Sequence, residues 1–546
     1  KKELEDKYPE AYATDVALIF NNLGILFRET HNFSKAQKAY SEAMKRFKQA
    51  CRWLDMAGAA YNLWMVTHDR KTLEASRRLL EIAILLSEEE KYKYALKRIN
   101  EEIYLDLIEN DMTSLGAFEA LRDPRLLSLL SIRDIQQELD KAQKDIKFQE
   151  SLVENVMGRE IPYLESIPPD FPDNLLFIYV HNLQDRMLFF IIDNEAIKKF
   201  TCRKAFFDTG MRVIYLLMFQ SMTADNSHPS HDVEKFDEFT SKWFEMLPQG
   251  LKDRICEKDH IAFSPDGASF HLPLETMQTH EGTLCLEKTV VRAAGLNQFL
   301  SLLPMKPSFD SSLMVGNPWP QCEEEKMIYS PPSDSKKIIL SSLIDSEEEI
   351  LALRKNLPNP RVLLKQDATG ETFLSEISRH SIIHFSGHGS MGRILFLAGP
   401  YHGFSPPFEP QEFSTFRKAE RNDGRKIINM MEEWHPVTDL DLYDVPVKKG
   451  ALVFLHACET GWLEYVGGGK YQGLPAVFLK NGAQSVISSL IPLIDEHSKD
   501  FSCHFYDALL NTHSPIESLK RARIAMKEAH GPHLSWAPYI HYGPPV

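Results

Sequence analysis

Two stretches of the sequence decide the fold, because each reads as a buried strand that ends in a polar turn. The first is Ser381-Ile-Ile-His-Phe-Ser-Gly-His-Gly-Ser390, and the second is Ala451-Leu-Val-Phe-Leu-His-Ala-Cys-Glu-Thr-Gly461. Each apolar run is short enough for a strand and is bounded by turn residues. In the first turn, His388 stands between two glycines, which permit a tight turn and let another chain approach the backbone closely. In the second turn, Cys458 stands at the tip of the strand.

Short β-type runs alternate with helical stretches on both sides of these two segments. Strands are predicted at Leu175–Val180, Met187–Ile192, His260–Ser264, Ser312–Val315, Arg361–Leu364, Ser381–Phe385, Ala451–His456 and Ser485–Ser489, and helices at Glu347–Asn356, Gly370–Arg379, Pro475–Lys480 and Ile516–Ala529. The first two strands are joined by His181–Arg186 and predict a hairpin. Strands that alternate with helices predict an α/β domain with a mostly parallel sheet. In such sheets, the chemistry lies beyond the carboxyl ends of the strands.

The residues at the two strand ends have the chemistry of a cysteine nucleophile and its base. A cysteine nucleophile needs a nearby base that helps to form the thiolate, and His388 is the candidate. It also needs backbone N–H donors for an oxyanion, and the N–H groups of Gly389 and Cys458 are the candidates. Read one at a time, Cys458 also fits a buried structural thiol, and His388 also fits a structural turn. Both alternatives stay open on the residues alone.

The first 110 residues predict a helical array of tetratricopeptide (TPR) type. The pattern that indicates it consists of Phe20, Leu23, Gly24, Phe27, Ala36, Tyr40 and Ala43, which stand at the offsets typical of that repeat. Gly24 and Ala36 are small, so two antiparallel helices can approach closely. A degenerate second unit spans Ala59 to Ala83, and a helical hairpin of another kind stays an alternative for both. Residues 111–165 are predicted to be a helical connector, and residues 166–546 the α/β domain.

Length, composition and charge narrow the classes of function. The chain has 546 residues, of which 43% are hydrophobic and 25% charged, as in ordinary globular proteins. A formal net charge of -15 argues against direct binding of nucleic acid. The longest apolar runs are too short to span a bilayer, and no signal-peptide pattern opens the sequence. Seven scattered cysteines without a CxxC pair argue against a disulfide framework or a zinc site, and they predict a reducing, cytoplasmic compartment with most thiols buried.

An ordered set of segments resembles the CHAT domain, the caspase-related peptidase domain associated with TPR repeats, of the caspase, separase and gingipain clan. The segments are Ile261-Ala-Phe-Ser-Pro-Asp-Gly-Ala-Ser-Phe-His-Leu-Pro-Leu-Glu275, Val315-Gly-Asn-Pro318, His384-Phe-Ser-Gly-His-Gly389, Ala457-Cys-Glu-Thr-Gly461, Lys480-Asn-Gly-Ala-Gln-Ser485 and Pro492-Leu-Ile-Asp-Glu496. They run through most of residues 172–545. The TPR-like unit ahead of them fits the usual domain order of the family. The resemblance therefore implies a caspase-like α/β fold.

The resemblance also implies a cysteine endopeptidase that uses no metal and no organic cofactor. It places the nucleophile on Cys458 and the general base on His388, while His384 is interpreted as structural. It places Asp495 near the wall of the substrate pocket, where its carboxylate would pair with an arginine or lysine before the scissile bond. The alternative is that Asp495 caps a helix that begins near Glu496. His456 stands where the family usually has a small residue.

Strand alternation puts His456 on the same side as Cys458. His456 is therefore a second candidate for the substrate pocket, and a histidine satisfied beside the strand end is its alternative.

Two segments and the helical part are candidates for regulation. Residues 399–434 read as a proline-rich, charged insertion, which is either a solvated loop or a docking element. The loop Trp462–Tyr471 follows the nucleophile and contains a glycine triplet, so it is the first candidate for a switch. The TPR-like part is expected to bind a regulatory protein, because some proteins of this architecture act in bacterial defence under a CRISPR effector.

The substrate is expected to be a protein, with no direct contact to nucleic acid or membrane. A catalytically silent TPR-CHAT scaffold, a cysteine hydrolase or acyltransferase of non-peptide substrates, and a nucleic-acid adaptor are the alternatives.

Overall fold

The computed structural model describes residues 9–86, 103, 149, 153, 171–183, 185–222, 229–319, 326–329, 338–390, 392–398, 434–467, 470–493, 495–531 and 535–545. The chain divides into two compact units: the residues up to Pro168 form the first, and nearly all residues from Pro169 onward form the second. Most of the predicted connector at 111–165 and of the predicted insertion at 399–434 lies outside the described residues, so both stay predictions. Within the described ranges, no helix is both long enough and apolar enough to cross a membrane.

The N-terminal unit contains two helical hairpins. Its helices are α1 (Pro9–Glu29), α2 (Phe33–Gln49), α3 (Trp53–Thr67) and α4 (Arg70–Leu86). Gly24 lies against the ring of Tyr40, and a side chain at position 24 would collide with that ring. Ala36 and Ala43 are fully buried. Small residues therefore let the first two helices pack closely, as the spacing pattern predicts. The assignment of these hairpins to the TPR family stays a prediction.

The C-terminal unit is built on one sheet of eleven strands, most of which are parallel to their neighbours. In order across the sheet, the strands are β3 (Ile197–Arg203), β2 (Arg186–Ile192), β1 (Leu175–Asn182), β4 (His260–Pro265), β5 (Thr289–Arg292), β18 (Tyr539–Tyr542), β17 (Ala483–Ser489), β14 (Ala451–His456), β10 (Ile382–Ser386), β6 (Ser312–Gly316) and β9 (Pro360–Leu364). The antiparallel neighbours are β3 with β2, β2 with β1, and β18 with β17. The prediction of a helical array followed by a mostly parallel α/β sheet is confirmed.

Smaller strand pairs and helices complete the C-terminal unit. Strand β7 (Lys326–Tyr329) pairs with β8 (Ile338–Ser341), and β15 (Glu464–Gly467) pairs with β16 (Lys470–Gln472). Strands β11 (Gly389–Ser390), β12 (Ile394–Ala398) and β13 (Trp434–Thr438) form a three-stranded sheet. The helices are α5 (Ala205–Met222), α6 (Pro229–Glu245), α7 (Gln249–Glu257), α8 (Leu284–Glu287), α9 (Leu296–Leu302), α10 (Ile344–Leu353), α11 (Gly370–Glu376), α12 (Leu474–Lys480), α13 (Asp495–Thr512) and α14 (Pro515–His530).

The structure differs from the sequence prediction mainly at the ends of elements and in one segment. Helix α10 begins at Ile344, earlier than the predicted start at Glu347, and acidic residues occupy its first turn. Acidic side chains are favourable there, because they face the positive end of the helix dipole. The segment Trp462–Tyr471, predicted to be a loop, contains the strands β15 and β16. Aromatic and β-branched residues in this segment favour strands in spite of the glycines.

Four neighbouring strands define the edge of the sheet that matters for function. Strands β17, β14, β10 and β6 are mutually parallel, so their carboxyl ends open at the same edge. Helix α10 packs on β6 and β10 and against α13. These strands are fully buried, which agrees with their near-continuous apolar sequences. Both motifs singled out from the sequence end at this edge.

Candidate active site

The two predicted site residues follow neighbouring parallel strands. Strands β10 and β14 pair as far as Ser386 and His456, and the N–H of Gly387 donates to the carbonyl of His456 at 3.4 Å. His388 and Cys458 each lie two residues beyond that last pair. Because paired strands run about 4.8 Å apart, the register brings both residues to one point of the sheet edge. Both are half-buried, so each is partly covered and still reachable.

Gly389 lets two turns pack against each other. The turn that contains His388 is called the histidine turn below, and the turn that contains Cys458 is called the cysteine turn. A Cβ atom at position 389 would lie 2.6 Å from Cγ2 of Thr460 and 3.0 Å from both the carbonyl oxygen of Cys458 and Cβ of Ala457. A side chain does not fit at such distances, so only glycine lets the two turns approach so closely. The glycine that the sequence predicts to admit another chain therefore admits the turn that carries Cys458.

The end of a third strand, β6, supports the histidine turn. The N–H of Asn317 donates to the carbonyl of Ser386 at 3.0 Å, and the side-chain oxygen of Asn317 accepts a backbone N–H at 2.8 Å. Asn317 has a φ of 43°, in the left-handed region that asparagine tolerates better than most residues. A Cβ at Gly387 would lie 3.0 Å from Cδ of Pro318. The Val-Gly-Asn-Pro segment therefore holds the turn that leads to His388.

The cysteine turn is held by hydrogen bonds within itself and to the strand beside it. The hydroxyl of Thr460 donates to the backbone carbonyls of Leu455 and Ala457, and the N–H of Gly461 donates to the carbonyl of Ser489 at 2.8 Å. The N–H of Leu493 donates to Sγ of Cys458 at 3.4 Å. Hydrogen bonding to a charged form stabilises that form, so this N–H favours the thiolate.

Burial does not distinguish Cys458 from the other described cysteines. The expectation that most thiols are buried is wrong for the described residues, where Cys285 is buried and the other free cysteines are half-buried. Burial raises the pKa of Cys202 to about 12 and also raises the pKa of Cys503, so these thiols stay protonated at neutral pH. What sets Cys458 apart is its place at a strand end beside the turn of His388.

A buried polar cluster lies on the strands that lead to the two turns. Its centre is the carboxylate of Glu349, a residue of helix α10. Glu349 has no exposed surface. Oε1 of Glu349 accepts from Nε2 of His384 at 2.9 Å and from Nδ1 of His456 at 2.8 Å. The hydroxyls of Ser386 and Ser502 donate to the same carboxylate at 2.7 Å and 2.5 Å. An ionised carboxylate only accepts, and this one is satisfied by four donors.

Two tyrosines end the cluster on either side. Nδ1 of His384 lies 2.9 Å from the hydroxyl of Tyr506, and Nε2 of His456 lies 2.7 Å from the hydroxyl of Tyr539. All of these side chains are buried, so each hydrogen bond is shielded from water and strengthened by the low local dielectric. The name glutamate cluster is used below for these residues: Glu349, His384, Ser386, His456, Ser502, Tyr506 and Tyr539.

Burial and hydrogen bonds set the pKa values in the glutamate cluster. Burial alone would raise the pKa of Glu349, but the charges and hydrogen bonds of His456 and His384 lower it. Burial lowers the pKa of His384, and Glu349 opposes that shift only in part. Burial raises the pKa of Tyr506 and Tyr539 well above the usual range, and the charge of Glu349 adds to the effect. At neutral pH the cluster therefore contains a carboxylate and two protonated phenols.

The structure changes the role of His456 and adds Glu349. His456 is 3% exposed, and both nitrogens of its ring are bound within the glutamate cluster. The prediction that His456 lines the substrate pocket is therefore corrected: alternation fixes its side of the sheet, but helices still cover that side at the last residue of β14. Sequence reasoning missed Glu349. The available signal is a carboxylate on the buried face of a helix, where Ile350 and Leu353 are also buried.

The glutamate cluster has the donor types of a metal site, but its donors already bond to one another. The nitrogen and oxygen atoms of Glu349, His384 and His456 lie within 4.8 Å of one another. The carboxylate oxygen lies between the two imidazoles at hydrogen-bonding distance from each. A metal ion would have to replace these hydrogen bonds and displace their protons. The geometry is therefore that of a hydrogen-bonded cluster, and the prediction that the protein needs no metal or cofactor stays a prediction.

A second buried cluster reaches the cysteine turn from strand β5. Nε and Nη2 of Arg292 donate to the carboxylate of Glu275 at 2.6 Å and 2.8 Å, and two backbone carbonyls accept from the same guanidinium. Tyr542 is the cross-strand partner of Arg292 in the pairing of β18 with β5, and its hydroxyl donates to the carbonyl of Gly461 at 2.7 Å. The name arginine cluster is used below for Glu275, Arg292 and Tyr542. The Leu-Pro-x-Glu segment thus supplies the carboxylate that balances a buried arginine beside the cysteine turn.

The predicted switch segment is fixed at both ends to the turn after β4. At one end, the ring of Trp462 packs edge-on against His271, with ring centroids 4.5 Å apart. At the other end, the ring of Tyr471 packs against Phe270 at 4.5 Å, and its hydroxyl donates to the carbonyl of Pro265 at 3.4 Å. The side chains of residues 465–470 lie outside the described part. A rearrangement of this segment would have to act between these anchors or release them.

Two predicted site features remain untested. Asp495 is the first residue of α13, one residue before the helix start that the capping interpretation assumes. The side chain of Asp495 lies outside the described part of the structure, so its pocket role and its capping role both stay predictions. The oxyanion roles of the Gly389 and Cys458 N–H groups also stay predictions.

Comparisons with known proteins place these features in context. A chain of the Saccharomyces cerevisiae separase–securin complex is similar with a TM-score of 0.46 and 9% identity, and the match covers 100% of this chain and 48% of that chain. The Arg-specific cysteine proteinase gingipain R gives a TM-score of 0.32 and 8% identity over 70% of this chain and 79% of that chain. Cilia- and flagella-associated protein 70 of Macaca fascicularis is 27% identical over 120 residues, which are 19% of this chain and 12% of that relative. The chain therefore spans less than half of the yeast chain and only a small part of the curated relative.

A family model covers the region that holds the site. The model of the CHAT domain matches residues 240–544, a range that includes the strands from β4 to β18, both strand-end turns, the glutamate cluster and the arginine cluster. Since this range is more than half of the 546 residues, the chain belongs to the CHAT domain family.

Proposed function

We propose that the chain is a cysteine endopeptidase in which Cys458 is the nucleophile and His388 the general base. The observation that carries this proposal is the shared sheet edge. Strands β10 and β14 are adjacent and parallel, and Gly389 packs directly on the turn of Cys458. The N–H of Leu493 on Sγ adds a donor that favours the thiolate. Membership of the CHAT domain family supports the same conclusion.

In the proposed reaction, His388 accepts the thiol proton and Sγ of Cys458 forms a bond to the carbonyl carbon of a peptide. The carbonyl oxygen becomes an oxyanion, which the N–H groups of Gly389 and Cys458 are proposed to bind. His388 then gives its proton to the leaving amine as the C–N bond breaks, which leaves a thioester. A water molecule loses a proton to His388 and attacks the thioester, and the carboxylic product leaves as the thiol is restored.

The decisive experiment is a search for new protein N-termini after incubation of a proteome with the wild type, Cys458→Ala and His388→Ala. Cys458→Ala is expected to abolish cleavage, because no other group forms the thioester. His388→Ala is expected to lower the rate by roughly 10² to 10⁴, since general base catalysis is lost. Both variants should stay folded, because the two side chains lie half-buried at strand ends.

A matched control comes from another half-buried thiol. Cys202 lies on β3, and burial raises its pKa to about 12, so Cys202→Ala should keep full activity. Cleavage that persists in Cys458→Ala would contradict the proposal. A folded wild type that cleaves no protein under any condition would favour the silent scaffold, whereas a modified small-molecule product found by mass spectrometry would favour the non-peptide alternative.

Regulation and specificity extend the proposal. A regulatory protein bound through the helical unit is proposed to control the segment Trp462–Tyr471, whose two ends are anchored by aromatic contacts. A CRISPR effector is one candidate for that protein, and the cytoplasm is the proposed site of action. Under this regulation, the purified full chain should be poorly active until the partner is added, and high activity without a partner would contradict it.

The proposed cleavage specificity is for a peptide bond that follows an arginine or lysine, because the carboxylate of Asp495 would pair with that basic side chain.

A further inference from the structure

Strand β3 is one of the two end strands of the eleven-stranded sheet. It pairs with β2 over its full length without a register shift, and in the described part of the chain no strand pairs with its other side. Its side chains are half-buried or exposed. The strand at the opposite end of the sheet, β9, begins with the exposed Pro360, and proline is one of the residues that protect an edge from a further strand. Strand β3 contains no proline.

The two hairpins on either side of β2 show which backbone groups of β3 face outward. In the first hairpin, the N–H of Leu183 donates to the carbonyl of Arg186 at 3.0 Å, so the backbone groups of Arg186 face β1. In the second hairpin, the N–H of Asp193 donates to the carbonyl of Ala196 at 3.2 Å. Because successive residues of an antiparallel strand direct these groups to alternate sides, both hairpins give the same pattern for β3. The groups that point away from β2, called the outer edge of β3 below, belong to Ile197, Lys199, Thr201 and Arg203.

The side chains of β3 carry a single sign of charge. The strand contains three basic residues and no acidic one, and two of the three, Lys198 and Arg203, are exposed. The acidic side chains of the turn before β3, Asp193 and Glu195, both pair with Arg254. Strand β3 is therefore a positive edge on a chain whose formal net charge is -15.

The sign of this charge decides which kind of segment the edge can accept. A second copy of β3 would bring like charges together across the new strand pair, which is unfavourable. An acidic segment would instead place carboxylates beside Lys198 and Arg203 while its backbone pairs with the outer edge. We propose that β3 binds an extended, acidic segment of a partner protein by strand addition.

This surface is separate from the candidate active site. Six strands lie between β3 and β14 in the sheet, so at about 4.8 Å per strand the two are roughly 30 to 35 Å apart. A segment bound at β3 therefore leaves His388 and Cys458 open. Binding at β3 needs no peptidase activity, so this inference and the proposed function are tested separately.

The test uses ten-residue peptides in which acidic residues alternate with valine or threonine, and matched peptides with lysine in place of each acidic residue. Fluorescence anisotropy measures their binding to the full chain. The acidic peptides are expected to bind, and more weakly as the salt concentration rises. Lys198→Glu should weaken their binding by roughly three- to tenfold, because an attraction becomes a repulsion. The matched control is Arg361→Glu, which reverses an exposed charge on β9 and should leave binding unchanged.

Thr201→Pro tests the backbone part of the proposal. It removes one N–H of the outer edge and breaks no hydrogen bond to β2, a position at which an edge strand tolerates proline. Binding of the acidic peptides should fall by roughly three- to tenfold, the effect of one hydrogen bond. Thr201→Val keeps the N–H and should bind as the wild type does.

If Thr201→Pro does not fold, acidic peptides that are N-methylated at alternate residues replace it. Methylation in one frame removes the N–H groups that face β3 and should abolish binding, whereas methylation in the other frame should not. The inference would be overturned by acidic peptides that bind no better than the lysine peptides, by equal effects of Lys198→Glu and Arg361→Glu, or by binding that survives removal of the N–H groups. Dimers of the chain that dissociate in Thr201→Pro would also overturn it, because a second copy would then occupy the edge.

Discussion

The glutamate cluster and the arginine cluster both lie close to the strand ends of the candidate site, but they balance their buried carboxylates in different ways. Glu275 is paired with Arg292 through hydrogen bonds of 2.6 Å and 2.8 Å, and a guanidinium is not deprotonated in proteins. Glu349 is paired with the imidazoles of His384 and His456, and an imidazole, unlike a guanidinium, also exists as a neutral ring. The arginine cluster therefore contains a cation of fixed charge, whereas the partners of Glu349 are rings that are not fixed cations.

The two clusters also lie on different sides of the sheet. Each includes a tyrosine of strand β18, where alternation directs Tyr539 and Tyr542 to opposite faces. Tyr542 donates to the backbone carbonyl of Gly461, so the arginine cluster fixes where the turn lies. Ser386 and His456 of the glutamate cluster are the last paired residues of β10 and β14, the two strands that lead to His388 and Cys458. The arginine cluster therefore supports the backbone of the cysteine turn, and the glutamate cluster supports the strands that precede both turns.

The largest effect is expected from breaking the arginine cluster. Arg292→Met leaves the carboxylate of Glu275 buried without its partner and should lower the free energy of unfolding by about 3–5 kcal/mol. Denaturant unfolding followed by circular dichroism measures this loss. The control is Arg521→Met, which removes an exposed pair with Glu517 at 3.0 Å and should cost less than about 1 kcal/mol. Similar losses in both variants would show that the buried pair does not support the fold.

A smaller effect is expected from the glutamate cluster. Glu349→Gln keeps the shape of the side chain but turns one acceptor oxygen into a donor that faces other donors, so the free energy of unfolding should fall by about 1–3 kcal/mol. Its neighbour on the same helix gives the control: Glu348 is exposed and pairs with Lys499 at 3.1 Å, so Glu348→Gln should cost less than about 1 kcal/mol. If denaturant titrations give the two variants equal stability, the hydrogen bonds that Glu349 accepts do not stabilise the fold as described.

The smallest effect is expected in the dependence of the free energy of unfolding on pH, and it comes from a histidine close to the fixed charge of Arg292. Burial and the neighbouring charge of Arg292 lower the pKa of His271 from 6.5 to about 4. The unfolded chain therefore takes up this proton first, and the free energy of unfolding should fall as the pH decreases from 6.5 to about 4. His271→Gln should make that dependence shallower by at most one proton, whereas His280→Gln, at an exposed ring, should not change it. Equal slopes in stability measured against pH would contradict the lowered pKa of His271.

Local patterns in the sequence were sufficient to predict the strands of the sheet and the helices that lie between them. The apolar runs of β10 and β14 and the glycines that follow them indicate both the strands and their ends. Because parallel strands end at a common edge, the sequence also predicted that His388 and Cys458 belong together. The segment Trp462–Tyr471 was harder, since its glycines suggest a loop while its aromatic and β-branched residues form a hairpin.

The tertiary structure alone decided which polar groups support the site. Glu349 and His456 are hydrogen-bonded across a separation of 107 residues, and His456 and Tyr539 across 83 residues, and no local spacing encodes such pairs. The period of a strand gives the side on which His456 lies, but only packing shows that helices still cover that side. The sequence by itself therefore determined the fold class and the two strand-end residues, because these depend on short-range periodicity and on the geometry of parallel sheets. The buried clusters depend on which distant elements meet in the core, and that is a property of the folded chain.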